Sequence, residues 1–436
     1  MTPLGLIEGF YGRPWSWADR LLMADRLGDL GFQLFVHAPK DDALHRSLWR
    51  EPYLPEDVAR FAELAERCRR GGVELVVGLS PLAAVFHGGE DTEAAVAKLA
   101  ALGEAGVRGF AILFDDMPAE FADPSDAERF TSLGAAHAAM TNTVLARLRA
   151  RMPVDRMLFC PLDYHGSGDT PYLRSLGELL DSSIEIFWTG REVCAETIAA
   201  DDVAGVGIAL RRPPLIWDNY PVNDGGMAGD LRLRPIRGRA PDLAPAVRGI
   251  VSNGALQPEV TAVALHTLRA WADDPAGYDP EVAWPAALEW VAGNAADAAA
   301  LALIGDLARR SPIERRAPTR LDRFAGAFWS AWERGARSTA LDLARAEAGT
   351  MHAALARLDR LVNRRLADDC EPWIRRFHAW LDAFDAAVDA LAAPTADRRT
   401  VAVAALDVAA RGTARVDDRG FERWVRRALA AAASHE

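Results

Sequence analysis

Short apolar runs alternate with longer amphipathic stretches from Leu4 to Ser252. The runs are LGLIEGF (4–10), FQLFVHA (32–38), VELVVGL (73–79), VRGFAILF (107–114), RMLFCP (156–161), IEIFW (184–188), PPLIW (213–217) and RGIVS (248–252). Each has the length and the β-branched or aromatic content of a buried strand. Between them lie helical patterns such as PEDVARFAELAERCRR (55–70) and TEAAVAKLAALGEAG (92–106). Gly31, Gly71, Gly72 and Gly106 stand just before the next run, where glycine ends a helix in the left-handed conformation. Eight strands with intervening helices predict a (β/α)8 barrel of the TIM type. A doubly wound sheet is the alternative, but it often opens on a Gly-rich phosphate turn. Here the first turn, Gly9-Phe10-Tyr11-Gly12-Arg13-Pro14, lacks GxGxxG spacing.

The pattern changes after the polar turn Asp273-Asp274-Pro275-Ala276-Gly277. No later run reads as a strand. Phe324, Phe328 and Trp332 recur at i, i+4, i+8, and Trp373, Phe377 and Trp380 at i, i+4, i+7, which are helix faces. The expected fold is therefore α/β: a catalytic (β/α)8 barrel over residues 1–277, followed by an α-helical bundle domain over 278–436. The aromatic stripes have the spacing of core.

Composition adds exclusions. The chain has 436 residues, 50% hydrophobic and 26% charged, with a net charge of −12. That balance argues against nucleic acid or an anionic membrane as the main partner. No stretch approaches the ~20 apolar residues of a membrane helix. Met1–Phe10 lacks the basic and apolar regions of a secretion signal. Cys68, Cys160, Cys194 and Cys370 are far apart and form no CxxC pair, so neither a zinc site nor a disulfide framework is expected. A cytoplasmic location fits.

A barrel of this type works at the C-terminal ends of its strands. There the sequence places Glu8-Gly9, Lys40-Asp41-Asp42, Asp115-Asp116, Asp163-Tyr164-His165, Trp188-Thr189, Trp217-Asp218-Asn219 and Asn253. Carboxylates, amides and aromatic faces on one rim suit a sugar. Asp115 and Asp116 are the sharpest pair, because adjacent carboxylates repel and favour keeping a proton on one of them. One carboxylate and one acid is the division of labour of a glycosidase. The competing reading is an acidic cap on the next helix. Neighbouring acids are poorly placed to flank a sugar ring from both faces, which points to a substrate carrying its own nucleophile, such as a 2-acetamido group. Lys40 is one of only two lysines among 50 basic residues, and a compact ammonium at a strand end suits hydroxyl binding or an ion pair with Asp41 or Asp42. His37 reads as a packed strand histidine.

The ordered set Glu8-Gly9-Phe10-Tyr11-Gly12-Arg13-Pro14, Ala38-Pro39-Lys40-Asp41-Asp42, Phe114-Asp115-Asp116, Cys160-Pro161, Trp188-Thr189-Gly190, Trp217-Asp218-Asn219, Asn223-Asp224 and Ser252-Asn253 resembles glycoside hydrolase family 84. These are the β-N-acetylglucosaminidases that include the protein O-GlcNAcases. The resemblance implies retaining exo hydrolysis of terminal β-linked GlcNAc, assisted by the substrate's acetamido group through an oxazoline. It implies that Asp115 orients the acetamido nitrogen and that Asp116 is acid and base. It further implies that Gly9 and Lys40 hold sugar hydroxyls, that Asn219 meets the acetamido oxygen, and that Tyr164 and Trp217 wall that pocket. Asp224 and Asn253 then hold hydroxyls at the far edge of the sugar. No metal or organic cofactor is implied. The expected partner is a β-GlcNAc-bearing substrate, a glycoprotein among the candidates, with a homodimer as an open oligomeric state.

Three segments depart from the family pattern. Ser80-Pro81-Leu82-Ala83-Ala84 stands where the family has Ser-Pro-Gly and soon an aspartate. Leu162-Asp163 replaces Thr-Glu, and His37 replaces a tyrosine. These changes bear on the aglycone more than on the chemistry. Two other readings stay open: a GlcNAc- or glycoprotein-binding barrel without turnover, and another N-acetylhexosaminidase acting on chitin or hyaluronan fragments.

Overall fold

The computed structural model describes residues 2–314 and 318–434. Eight parallel strands close into a barrel in chain order: β1 (Leu4–Glu8), β2 (Leu34–His37), β3 (Glu74–Leu79), β4 (Gly109–Leu113), β5 (Arg156–Cys160), β6 (Glu185–Trp188), β7 (Leu215–Asp218) and β8 (Gly249–Asn253). β1 pairs with β8, Leu6 opposite Ser252, which completes the ring. All eight expected strands are present. Nearly every residue in them is buried, because a parallel strand is covered on both faces, by the barrel interior and by a helix. The interior is packed by Ile7, Val36, Val76, Leu113, Leu158 and Val251 among others, so it is a core and not a pore.

The strands stop short of the apolar runs at their C-terminal ends. Phe10, Phe114 and Pro161 lie past the last paired residue, where the chain turns toward the rim. The Phe114 amide still donates to the Cys160 carbonyl at 2.9 Å, so pairing with β5 reaches the residue before Asp115. The helix expected at 55–70 spans Pro55–Arg70, and the one expected at 92–106 spans Glu90–Glu104. Gly31, Gly72 and Gly106 adopt positive φ, as helix-ending glycines do.

The chain divides into two compact units. The first comprises residues up to Gly225, Ile236–Pro258 and Leu268–Tyr278. The second comprises Gly226–Pro235, Glu259–Thr267 and the residues from Asp279 onward. The second unit thus takes two segments that precede residue 278. The reason is packing: Leu231, Leu233, Val260 and Val263 belong to the same apolar cluster as Leu288, Leu301 and Phe328.

That second unit is helical among its described residues. Its centre is aromatic: Phe384 stacks on Trp424 at 4.2 Å, and Phe324 and Phe328 lie 5.7 and 5.2 Å from Trp424. Trp373, Phe377 and Trp380 are buried as their spacing predicts. In Arg320–Glu333 the helix turns Trp329 inward and leaves Trp332 half-buried. Trp332 instead stacks on Phe328 at 5.8 Å. No helix among the described residues is long and apolar enough to cross a membrane.

Candidate active site

Asp115 and Asp116 follow β4 after the single residue Phe114, and their carboxylates go to different partners. Asp115 is nearly buried and forms an ion pair with Lys40, which is equally buried at the end of β2. The Lys40 ammonium also lies 5.5 Å from the Trp217 ring centre, a cation–π contact from the end of β7. Lys40 therefore pairs with the catalytic candidate itself and not with Asp41 or Asp42. Asp41 instead accepts from the Gly12 amide at 2.8 Å, and Asp42 from the Leu44 amide at 2.9 Å.

Asp116 stands exposed on the rim. The Tyr11 hydroxyl donates to its Oδ2 at 2.9 Å and the Tyr164 hydroxyl to its Oδ1 at 2.7 Å. Its backbone is left-handed, with φ +55, a conformation that aspartate tolerates better than most side chains. Arg46 Nη2 donates to the Asp116 carbonyl at 2.7 Å and so braces that turn. Burial, together with the neighbouring Asp116 carboxylate, pushes both tyrosines well above the ordinary phenol range, so both keep their protons. A phenol can donate to a carboxylate or turn and accept from a carboxylic acid. The pair of tyrosines can serve Asp116 in either protonation state.

The remaining expected residues are fixed by hydrogen bonds of their own. The Asn253 Oδ1 accepts from the Gly9 amide at 3.2 Å, and its Nδ2 donates to Asn219 Oδ1 at 2.9 Å. Asn219 Oδ1 also accepts from Trp217 Nε1 at 2.9 Å, while Asn219 Nδ2 donates to the Val193 carbonyl at 2.7 Å. One Nδ2 hydrogen of Asn219 is thus committed and a second is left to serve a ligand. Gly9 is required by space: a Cβ there would lie 2.6 Å from the Trp217 ring. Asp224 Oδ2 accepts from the Tyr11 amide at 2.7 Å, and burial raises its carboxyl above the usual range. The contacts form two sets, Gly9, Asn253, Asn219, Trp217, Lys40 and Asp115 in one and Asp224, Tyr11, Asp116 and Tyr164 in the other, and the adjacent Asp115 and Asp116 join them along the chain.

Several strand-end groups serve structure instead. Glu8 is fully buried, bonds Arg20 through both oxygens, and accepts from the Trp15 amide at 2.9 Å. Asp218 is buried against Arg239, with Nε donating to Oδ2 at 2.7 Å. Asp163 accepts from Thr170 Oγ1 at 2.7 Å. Along a strand, alternate side chains point to opposite faces, so a carboxylate at a strand end need not face the rim. His37 is buried, stacked parallel to Trp17 at 6.2 Å and edge-on to Phe61 at 4.9 Å. Burial holds its imidazole well below the ordinary range. It is a packed strand histidine.

Tyr11 and Arg46 are the site residues that sequence reasoning passed over. Tyr11 has a local signal, an aromatic hydroxyl three residues beyond Glu8. Arg46 has none, being one arginine among many. The second lysine, Lys98, is also explained. Its ammonium donates to the carbonyls of Leu44, Trp49 (3.1 Å) and Glu51 (2.8 Å), fixing the loop that carries Lys40 and Arg46. Burial lowers it to about 8. Among the described residues no cluster of three or more histidine, cysteine or acidic side chains could hold a metal.

Comparison with known proteins bears on the family and the fold. The profile of a family described as beta-N-acetylglucosaminidase matches residues 4–305. The Protein O-GlcNAcases of Rattus norvegicus and Mus musculus are each 34% identical over 274 residues, 61% of this chain. That stretch spans only 29% of those relatives' length. A mutant O-GlcNAc hydrolase from Thermobaculum terrenum superposes with a TM-score of 0.92 at 29% identity, covering 99% of this chain and 95% of that one. A further structure, CpGH84B, shares the fold at a TM-score of 0.83 and 24% identity, over 97% of this chain and 76% of its own.

Proposed function

The chain belongs to the β-N-acetylglucosaminidase family, and from that premise we propose that it is a retaining exo-β-N-acetylglucosaminidase acting by substrate assistance. The observation that carries the proposal is the unequal environment of Asp115 and Asp116. One carboxylate is buried on an ammonium, and the other is exposed between two phenols. Two acids with different surroundings are suited to two roles.

In this reading Asp115, paired with Lys40, accepts from the acetamido N–H and directs the amide oxygen at the anomeric carbon. Charge gathers on the amide as the oxazoline closes, and a preorganised anion beside it needs no reorganisation. Asp116 gives its proton to the leaving oxygen. Its carboxylate then accepts from Tyr11 and Tyr164 and later takes a proton from the attacking water. Trp217 and Tyr164 provide the flat apolar wall, and the second Nδ2 hydrogen of Asn219 meets the acetamido oxygen. Gly9, Lys40, Asp224 and Asn253 serve the hydroxyls at the closed side of the sugar. No step calls for a metal or an organic cofactor. The substrate is a terminal β-GlcNAc conjugate. Cys68, Cys160 and Cys370 are free and buried, which suits a reducing, cytoplasmic setting.

The test compares a β-glucoside with a β-N-acetylglucosaminide bearing the same leaving group. The expected outcome is turnover of the acetamido sugar alone, with the β-hemiacetal formed first by NMR. Comparable kcat/KM for the two sugars would contradict substrate assistance, and binding without turnover would favour a non-catalytic barrel.

A further inference from the structure

Beyond the sugar site, a hollow of about 200 Å³ opens between the loops that follow β3 and β4. Its walls include Leu82, Phe86, Met117, Phe121 and Leu133, with Phe114 and His137 beneath. Met117 directly follows Asp116 and Phe114 directly precedes Asp115, so the hollow begins one residue from the acid that serves the leaving oxygen. Leu82 and Ala84, in the segment that departs from the family pattern, stand on its β3 side.

The hollow is built, not incidental. Asp126, fully buried, accepts from the Phe86 amide at 3.0 Å and the His87 amide at 2.6 Å, which staples the β3 loop to the β4 loop. On the other side the Leu82 carbonyl accepts from Trp49 Nε1 at 3.0 Å and the Ala83 carbonyl from Arg50 Nη2 at 2.9 Å. The floor carries one polar group. His137, 4% exposed, stacks on Phe114 at 3.7 Å, and its Nδ1 lies 2.8 Å from the Tyr172 hydroxyl. That hydroxyl already accepts from the Leu162 amide at 3.1 Å, so its proton is available to Nδ1. The imidazole then carries its own proton on Nε2. Burial pushes the ring down to about 3, so it stays neutral.

From this geometry we infer that the hollow is an aglycone subsite for an apolar group, aryl or branched alkyl, attached to the leaving oxygen of the β-GlcNAc substrate. The inference rests on the glycosidase reading and narrows its substrate class. Size decides against a large occupant, since pockets for whole drug-sized ligands run roughly 300–1,000 Å³. Wall chemistry decides against a second sugar. Alkyl and aromatic walls would leave its hydroxyls without partners, a cost that apolar groups avoid. The only ionisable side chain of the lining besides His137 is Glu120, on the exposed lip.

The experiment compares kcat/KM for methyl and benzyl β-N-acetylglucosaminides and for N,N′-diacetylchitobiose, in the wild type, Leu82→Asp and Phe121→Ala. Methanol and benzyl alcohol leave with nearly equal acidity, so their ratio reads binding beside the leaving oxygen. The methyl glycoside is too short to enter the hollow and serves as reference. The expected result is a benzyl preference of at least roughly tenfold, the scale of filling an apolar pocket. It should fall toward parity in both variants, with thermal melts confirming that they are folded. Parity in the wild type, a ratio that neither variant moves, or a preference for chitobiose over the benzyl glycoside would overturn the inference while leaving the glycosidase reading intact. Failure to cleave any of the three would overturn both.

Discussion

The Lys40 ammonium and the Asp115 carboxylate form an ion pair buried in the barrel mouth, joining the end of β2 to the end of β4 across 75 residues of sequence. Such a pair draws its strength from the exclusion of water, and for the same reason neither member tolerates loss of the other. Lys40→Met is expected to cost about 3–5 kcal/mol of stability, because it strands a buried anion. It should also lower kcat/KM by at least tenfold. Asp115→Asn combined with Lys40→Met should destabilise less than the sum of the two single changes. A double-mutant cycle by chemical denaturation measures the coupling, and strict additivity would show that the two groups do not act as a pair.

Tyr11 and Tyr164 present a separable case. Each donates one hydrogen bond to Asp116, and a hydrogen bond to a charged group is worth about 1.5–3 kcal/mol. Tyr11→Phe and Tyr164→Phe should each reduce kcat by roughly 10- to 100-fold on an unactivated glycoside, with little change in melting temperature. A rise in KM with kcat unchanged would remove the phenols from the proton-transfer step.

Two buried histidines contribute to the acid side of the stability profile. His45, whose Nδ1 lies 3.0 Å from the Gly78 carbonyl, and His137 are both depressed by burial to about 3, from an ordinary value of 6.5. Below pH 6.5 the unfolded chain takes up protons that the folded chain refuses. Their contribution to stability is therefore complete above pH 6.5 and is lost as the pH falls toward 3. Each can contribute a slope of up to about 1.4 kcal/mol per pH unit. Unfolding free energies of the wild type and His45→Gln, followed from pH 7 to 4.5, should show a flatter fall in the variant. Parallel curves would contradict the assignment.

Much of this was readable in the sequence, for identifiable reasons. A parallel strand covered on both faces appears as an unbroken apolar run, so GFAIL of β4 and ELVVGL of β3 declare themselves. Because such barrels work at one rim, the residues after each run formed the candidate set. What the runs do not encode is facing and partnership. Glu8 and Asp218 read like Asp115 in sequence, yet one turns to Arg20 and the other to Arg239. Lys40 looked ready to meet its neighbours Asp41 or Asp42, but the fold brings it Asp115. Pairings of this kind depend on strand order and register, which exist only once the barrel closes. The same holds for Gly226–Pro235 and Glu259–Thr267, whose helical-unit packing has no local signature.

The helical unit should bear on stability and not on chemistry. Phe384 is fully buried against Trp424. Phe384→Ala should cost about 3–5 kcal/mol of unfolding free energy, while kcat and KM measured well below the melting point stay near wild type. Loss of activity in the still-folded variant would assign that unit a part in catalysis.

The division of labour between the two aspartates is the centre of the account, and the leaving-group dependence of Asp115→Asn and Asp116→Asn tests it most directly. With Asp116 as acid and base, Asp116→Asn loses a proton donor worth roughly 10²–10⁴-fold. The loss should be largest for an alkyl leaving group and smallest for dinitrophenol, which scarcely needs protonation, so the slope against leaving-group acidity steepens. Asp115→Asn weakens acetamido participation whatever departs, so its slope should stay near that of the wild type at a reduced rate. Equal slopes in the two variants would contradict the assigned roles. A loss below about tenfold in both would reduce Asp115-Asp116 to an acidic turn and remove the chemistry from this site.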